Sequence, residues 1–318
     1  MPGKNLVMVT AMQKKKPNDA SEARAKTRTG RDKMPEVDLA EFRRLLQSRK
    51  VNKVYREDTA QAYSYIYGPE VQDKKFSKDL SLIENRLTDL GLNGKIHRLT
   101  KFKNIKEIIA DDVRGGAKTL VIFGNDETVL KTLTAIPAAG LTVGVVPFGE
   151  PQTIAKMLGL VDRFAACQAL SARLLRPIDL GKINDQFFFG SVRFPHSQAR
   201  IACDGQYSVE AAEDRDLEIF NLHLPKDEDD KLFFKPNPHD GHLELVVRKF
   251  NKLSIFGGWR YALNHAGRDS VFLFRKAEIQ SKTPVNIILD GRKTSVQNPK
   301  IGVIKGALKL IVGKNRRI

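Results

Sequence analysis

One short turn in this sequence has the residue types of a phosphate-binding site. Gly124-Asn125-Asp126-Glu127-Thr128 follows an apolar run and opens a helical pattern. A turn between a strand and a helix points main-chain N–H groups at whatever lies above the end of the strand, which suits phosphate. Asp126 has a second interpretation, because an aspartate here can also cap the helix that begins there.

Two Asp-Gly pairs in the second half of the sequence are candidates for functional carboxylates. Asp240-Gly241 lies within the segment 236–245, and Asp290-Gly291 lies between two strand-like runs. Asp-Gly is also an ordinary turn dipeptide, so both pairs have a purely structural alternative. The histidines at 97, 223, 239 and 242 are not spaced as metal ligands usually are. The sequence also shows no Ser-His-Asp arrangement.

The elements that position the turn around Asp126 follow a regular rhythm from about residue 60. Strand-like runs at 62–67, 95–99, 120–123 and 141–146 alternate with helical patterns, and two more helical stretches lie between 153 and 174. In the helical patterns the apolar residues recur every three or four positions, as on a half-buried helix. This alternation predicts a layered α/β domain with a mainly parallel sheet.

After Pro177 the helical rhythm stops. A hairpin signal covers 178–189, with its turn at Asn184-Asp185, and strand-like runs follow at 217–220, 243–247, 271–274, 285–289 and 308–312. Runs of this kind, separated by turn residues, predict an antiparallel β-sandwich. We therefore divide the chain into a basic, largely disordered arm (1–58, with one short helix at 38–49), a nucleotide-binding-like α/β domain (59–177) and a β-sandwich domain (178–318).

Four segments, in this order, resemble the catalytic-domain family of diacylglycerol and sphingosine-type lipid kinases. The family has G-G-D-G-T where this chain has 124–128, and P-L-G-T-G-N-D-F-A-R-x-L-G where it has 147–159. Where this chain has 236–245 the family has P-x-A-x-x-D-G-x-L-x-V, and where this chain has 290–292 the family has D-G-E. The resemblance spans about residues 62 to 313. NAD kinases share the first motif, but the later two fit lipid kinases better.

The resemblance implies phosphoryl transfer from ATP to a lipid hydroxyl, which depends on positioning, Mg²⁺ and main-chain donors. Asp290 would match the general base, and Asp126 would lie near the nucleotide and its metal. Asn237, Asp240 and a main-chain carbonyl near His242 would match a Mg²⁺ site, since such oxygen ligands suit a hard cation. The nucleotide-binding set would be Gly124, Asn125, Asp126, Glu127, Thr128, Gly149 and Glu150.

The departures from the family pattern fall on the nucleotide-facing loops. Asn125 and Glu127 replace two glycines, Glu150-Pro151 replaces Thr-Gly, and Arg292 replaces the acid of D-G-E. Pro151 has no N–H to donate to a phosphate, and the two glutamates add negative charge where the family binds triphosphate. The family's N-P-x-S/A-G turn appears as 68–72 without its glycine. The scaffold is therefore predicted to be intact and the ATP cradle remodelled.

Composition limits the partners and the compartment. Hydrophobic residues make up 41% of the chain, which excludes a fully disordered protein, and the net charge of +17 favours polyanionic partners. Two isolated cysteines are typical of a reducing cytosol, and no run of about 18 apolar residues could span a membrane. We expect a cytoplasmic protein, with the basic arm and the basic C-terminal stretch 300–318 able to hold it at the inner surface of an anionic membrane.

Three functions remain open from the sequence. The first is an active, divergent lipid kinase that uses ATP and Mg²⁺, supported by the retained aspartates. The second is a non-catalytic member of the fold that binds lipid, nucleotide or a protein partner, supported by the lost glycines. The third, binding of nucleic acid through the basic arm, rests on charge alone. The oligomeric state and the acceptor lipid are not determined by the sequence.

Overall fold

The computed structural model describes residues 7–11, 63–100, 104–136, 140–195, 200–211, 215–225, 230, 232–249, 252–255, 258–261, 270–281 and 283–318. Within the N-terminal arm, strand β1 (Val7–Ala11) lies in these ranges. The helix predicted at 38–49 lies outside the described residues, as does the rest of the arm.

The α/β half follows the predicted alternation of strands and helices. Its elements are β2 (Tyr63–Tyr67), α1 (Ser77–Asp89), β3 (Gly94–Arg98), α2 (Ile105–Arg114), β4 (Thr119–Gly124), α3 (Asp126–Leu133), β5 (Thr142–Pro147), α4 (Thr153–Met157) and α5 (Arg163–Ala172). Two 3-10 turns, Pro69–Gln72 and Lys74–Phe76, connect β2 to α1. The strands pair in parallel in the order β3-β2-β4-β5.

Helices cover both faces of this parallel sheet. Ser64 on β2 donates a hydrogen bond to Asp112 of α2, whereas Tyr67, three residues further along, donates to Glu84 of α1 at 2.9 Å. Successive side chains of a strand point to opposite faces, so α1 and α2 lie on opposite sides. Strands β4 and β5 are buried along their whole length, as expected for a sheet covered on both faces.

The second half is built from strands. They are β6 (Leu175–Ile183), β7 (Gln186–Phe188), β8 (Ser191–Phe194), β9 (Arg200–Cys203), β10 (Tyr207–Ala211), β11 (Arg215–Phe220), β12 (Leu243–Lys249), β13 (Lys252–Ile255), β14 (Gly258–Tyr261), β15 (Ser270–Phe274), β16 (Lys276–Ile279), β17 (Val285–Leu289), β18 (Arg292–Val296) and β19 (Lys300–Ile311). Strands β6 and β7 form the predicted hairpin.

The two halves share a strand. One sheet of the sandwich has the order β15-β12-β11-β8-β17-β18, and the other runs β1-β10-β9-β16-β19 and continues through β5 into the parallel sheet. Strand β19 pairs in parallel with β5 at Lys309 and Leu310, and antiparallel with β6 along most of its length. Ile301 at its start packs in the sandwich core and Leu310 near its end in the α/β core. Strand β19 therefore belongs to both domains and connects them.

A buried aspartate fixes the junction between the halves. The carboxylate of Asp179 on β6 accepts the main-chain N–H groups of Gly241 at 2.7 Å and Gly306 at 2.6 Å. Its own N–H donates to the carbonyl of Pro238 at 2.7 Å. Gly306 has a φ of +59° and lies where β19 changes register against β6. Asp179 thus connects three segments that are distant in sequence.

These observations confirm the predicted fold class, an α/β domain with a mainly parallel sheet followed by an antiparallel β-sandwich. The predicted boundary after residue 177 falls inside β6, which begins at Leu175, because Leu175 to Pro177 already pair with the end of β19. In the part of the chain that the structure describes, no helix is long and apolar enough to cross a membrane.

Candidate active site

Three turns meet at the carboxyl edge of the parallel sheet. They follow β2, β4 and β5, and main-chain hydrogen bonds hold them side by side: Gly68 donates to the carbonyl of Phe123 at 2.8 Å, and Phe148 to that of Gly124 at 3.1 Å. In open parallel sheets, ligands bind at this edge. The phosphate turn predicted at 124–128 lies in the middle of the three.

Asn125 organises the central turn. Its side-chain oxygen accepts the N–H of Thr128 at 3.1 Å, which makes it the N-cap of α3. Its side-chain amide donates to the carbonyl of Glu150 at 3.3 Å, across the gap to the turn after β5. The residue that replaces a family glycine therefore caps the helix and connects the second and third turns.

Asp126 caps a helix, although not the one that begins at Asp126 itself. Its carboxylate accepts the N–H groups of Thr153 at 2.7 Å and Ile154 at 2.9 Å, at the start of α4. Burial raises the pKa of Asp126 above its usual value, although these two amides oppose the rise, and the charge of Glu150 adds to it. Both carboxylate oxygens are engaged within the protein, and its predicted role toward nucleotide or metal stays a prediction.

Glu70, on the turn after β2, lies across the start of α3. One oxygen of its carboxylate accepts the main-chain N–H of Asn125 at 2.7 Å, and the other accepts the hydroxyl of Thr128 at 3.2 Å. A negative charge is stabilised at this position because main-chain N–H groups and the helix dipole converge there. An internal carboxylate therefore binds the turn that the sequence predicts for phosphate.

The remaining residues of the predicted nucleotide set lie at the rim of the same edge. Glu127 and Glu150 are exposed, and Gly149 adopts a φ of +73° that favours glycine. The peptide bond between Glu150 and Pro151 is cis. The structure thus brings together Gly124, Asn125, Asp126, Glu127, Thr128, Gly149 and Glu150, as predicted, with carboxylates as the charged groups among them.

Asp290 lies at the other candidate position, in the turn between β17 and β18. Its carboxylate accepts the N–H groups of Phe189 at 2.8 Å, Gly190 at 2.8 Å and Ser191 at 3.1 Å. Burial raises the pKa of Asp290 to about 6, although these three amides oppose the rise. Phe189 packs in the α/β core, so this carboxyl stands where the sandwich meets the first domain.

The predicted metal residues lie close to a buried glutamate. Asp240 accepts the N–H of His242 at 2.9 Å, within its own turn, and the main-chain N–H of Asn237 donates to Glu244 at 3.1 Å. The second oxygen of Glu244 is buried without a hydrogen-bond partner among the described residues, and burial raises the pKa of Glu244 to about 7. His242 instead accepts the guanidinium N–H of Arg275 at 3.1 Å.

This donor set fits a hard cation in its chemistry. Asp240 and the free oxygen of Glu244 supply carboxylate oxygens, and Asn237 supplies an amide oxygen, the kinds of ligand that Mg²⁺ prefers. Among the described residues, no three His, Cys, Asp or Glu side chains form a cluster that could hold a metal. A site here would therefore need amide, main-chain or water oxygens as well.

Comparison with known proteins decides between the kinase families named above. Residues 63–183 match the model of the diacylglycerol kinase catalytic domain. This segment belongs to that family. A diacylglycerol kinase from Bacillus anthracis str. Sterne has a similar structure, with a TM-score of 0.63 and 16% identity over 80% of this chain and 97% of that one. An NAD kinase from Archaeoglobus fulgidus, in complex with ATP, gives a TM-score of 0.50 and 11% identity over 80% and 95%.

The diacylglycerol kinase domain thus extends from β2 to the end of β6, and both solved relatives share the fold at low identity. Two residues that sequence reasoning missed are central to this domain. In the sequence, Glu70 lies in the turn at 68–72 that lacks the family's glycine, and Asp179 lies in the hairpin at 178–189. Each acts on residues more than 50 positions away, and no local pattern announces such contacts.

Proposed function

We propose that this chain transfers the γ-phosphoryl group of ATP to a hydroxyl group of a lipid. The observation that carries the proposal is the carboxyl of Asp290, which the N–H groups of Phe189, Gly190 and Ser191 hold in place where the two domains meet. Burial raises its pKa to about 6, so it is ionised but still basic near neutral pH. A general base works best when its pKa lies close to the working pH. The diacylglycerol kinase domain supports the same reaction class.

In the proposed reaction Asp290 takes the proton of the lipid hydroxyl. One of its oxygens accepts two main-chain amides and the other accepts one, from Phe189, which leaves that second oxygen room for a further donor. As the proton moves to the carboxylate, the hydroxyl oxygen bonds to the γ-phosphorus. The bond from that phosphorus to the bridging oxygen breaks, and ADP leaves. The turn at 124–128 would bind the phosphates.

Mg²⁺ would neutralise phosphate charge in such a reaction. Of the residues present, Asn237, Asp240, Glu244 and the main chain near His242 offer oxygen ligands for a cation in the sandwich domain. Asp126 is less suited to bind a nucleotide-linked metal, because both of its carboxylate oxygens accept main-chain N–H groups.

The test is a transfer assay with radiolabelled ATP, Mg²⁺ and vesicles that contain diacylglycerol. We expect label in the lipid fraction with the wild-type chain and none with Asp290→Asn. Asp89→Asn, at an exposed position of α1, is the matched control and should behave like wild type. No label above the protein-free background, with diacylglycerol and with sphingosine, would refute the proposal.

A second candidate, a non-catalytic member of the fold, is favoured by the contact of Glu70 with Asn125 and Thr128. A carboxylate in that position opposes phosphate by charge and by occupying its donors. Calorimetric titration with ATP and ADP in the presence of Mg²⁺ separates the candidates. Micromolar binding of ATP supports the kinase, and no binding at millimolar nucleotide supports the scaffold.

A further inference from the structure

The side chain of Glu70 fills a space that three glycines leave open. A Cβ atom placed on Gly68 would stand 2.6 Å from a carboxylate oxygen of Glu70, and one on Gly124 would stand 2.5 Å from it. A Cβ on Gly149 would stand 3.1 Å from the Glu70 Cγ. Glycines in a phosphate loop allow the main chain to approach its ligand closely. Here the group that they approach is the chain's own glutamate.

Four donors of the central turn are satisfied within the protein. The N–H of Asn125 donates to Glu70 at 2.7 Å, that of Asp126 to the carbonyl of Pro151 at 2.9 Å, and that of Thr128 to the Asn125 side chain at 3.1 Å. The Thr128 hydroxyl donates to the second Glu70 oxygen at 3.2 Å. Of these acceptors, Glu70 is the one that carries a charge, so it takes the place that a phosphate oxygen would have.

Glu70 does not need to be there for the fold of the turn. Asn125 already caps α3, and Asp126 already fastens the turn to α4. The carboxylate is half-buried and reaches the turn from a separate segment, the 3-10 turn Pro69–Gln72. A main-chain N–H can donate a charge-assisted hydrogen bond to a phosphate oxygen as well as to a carboxylate, so a ligand phosphate can replace Glu70 at these donors.

We infer that Glu70 is an intramolecular competitor for nucleotide phosphate, bound to the Asn125 N–H and the Thr128 hydroxyl between Gly68, Gly124 and Gly149. The inference rests on the proposed function, because it assigns the same turn to the phosphates of ATP. It adds that one displaceable side chain lowers the affinity of the chain for nucleotide. The replacement of glycines in the loops then has a smaller effect on nucleotide affinity than Glu70 has.

The experiment compares ATP affinity, by calorimetry with Mg²⁺, in the wild-type chain and in Glu70→Ala, Glu70→Gln and Asp89→Asn. Glu70→Ala empties the space and should bind ATP about ten- to a hundredfold more tightly than wild type, the equivalent of one charge-assisted hydrogen bond. Asp89→Asn removes an exposed charge from α1, away from the three turns, and should change affinity less than about fivefold. Glu70→Gln should fall between the two.

Thermal unfolding in inorganic phosphate, against chloride at equal ionic strength, gives a second readout. Phosphate should raise the Tm of Glu70→Ala and leave that of wild type unchanged, since a ligand stabilises the form that binds it. If Glu70→Ala fails to fold, Glu70→Gln carries both measurements. The inference is overturned if the folded Glu70 variants bind ATP no more tightly than wild type, or if Asp89→Asn gains as much.

The results also separate this inference from the proposed function. Tighter ATP binding by Glu70→Ala without any transfer to lipid would leave the competitor role standing and refute the kinase reaction. If the wild type transfers phosphate to lipid but removing Glu70 does not raise the affinity for ATP, the kinase reaction stands and the competitor role is refuted.

Discussion

Asp179 offers the sharpest test of how the two domains are joined. We expect Asp179→Ala to destabilise the chain strongly, because the carboxylate is 1% exposed and accepts two main-chain N–H groups, from Gly241 and Gly306. Each hydrogen bond to a charged group contributes about 1.5–3 kcal/mol, so losing both costs roughly 3–6 kcal/mol. Whole domains are stable by about 5–15 kcal/mol, so this loss would be a large share.

The assay is urea unfolding at neutral pH, followed by circular dichroism. Asp179→Asn keeps the shape but presents an amide donor to one of the two N–H groups, so it should cost about half as much as the alanine variant. Asp89→Ala, at an exposed position of α1, is the control and should change stability by less than about 0.5 kcal/mol.

A site-specific readout accompanies the stability measurement. Hydrogen exchange at the amides of Gly241 and Gly306 should accelerate in Asp179→Ala, because both lose their acceptor. If the alanine variant unfolds at the same urea concentration as Asp89→Ala, or if these two amides exchange no faster, the junction does not depend on this carboxylate and the reasoning fails.

Three further predictions concern the other carboxylates. The rate of phosphoryl transfer should rise with pH through about 6 and then level, because Asp290 must lose its proton to act as base; initial rates between about pH 5 and 8 check this, and a flat profile contradicts it. Asp112 is buried, and although burial raises its pKa, hydrogen bonds from His97 and Ser64 and the charge of Lys95 hold that pKa below its usual value. Its stabilisation is therefore present at neutral pH and is lost as pH falls below about 4. Asp112→Ala leaves the buried Ser64 hydroxyl without its acceptor and should cost about 1–3 kcal/mol at pH 7 in urea unfolding, and less in acid. Asp126→Ala removes the cap of α4 and should cost about 0.5–2 kcal/mol by thermal unfolding, with Glu127→Ala as the exposed neighbour that should cost less.

The order of helices and strands was predictable because each element is indicated by residues close together in the sequence. Apolar residues every three or four positions indicated α1, α2 and α3, and the turn at Asn184-Asp185 indicated the β6–β7 hairpin. Two of the four motifs of the family resemblance, at 124–128 and 147–159, lie within the match at residues 63–183. Boundaries were less accurate: the helix expected to reach 174 ends at Ala172, since β6 begins at Leu175 to pair with β19.

The sequence indicated which residues lie in the central turn at the edge of the sheet, and it did not indicate what they contact. Asn125, Asp126 and Thr128 were identified from one turn, and the structure brings them together with Gly149 and Glu150. Their partners could not be read from the sequence. The acceptor for the Asn125 N–H is Glu70, and the donors to Asp126 lie at 153 and 154, so each pair depends on how three strands align.

The sequence by itself determined the class of fold, the family resemblance and the location of the turn at 124–128. These depend on spacing along the chain, which sets which face of a helix or strand is apolar and where a turn must occur. The tertiary structure decided that β19 serves both domains, that Asp179 joins three segments, and that Glu70 lies on the turn. Such contacts join residues 55 to 127 positions apart, and they exist only once packing of the cores has placed the strand ends side by side.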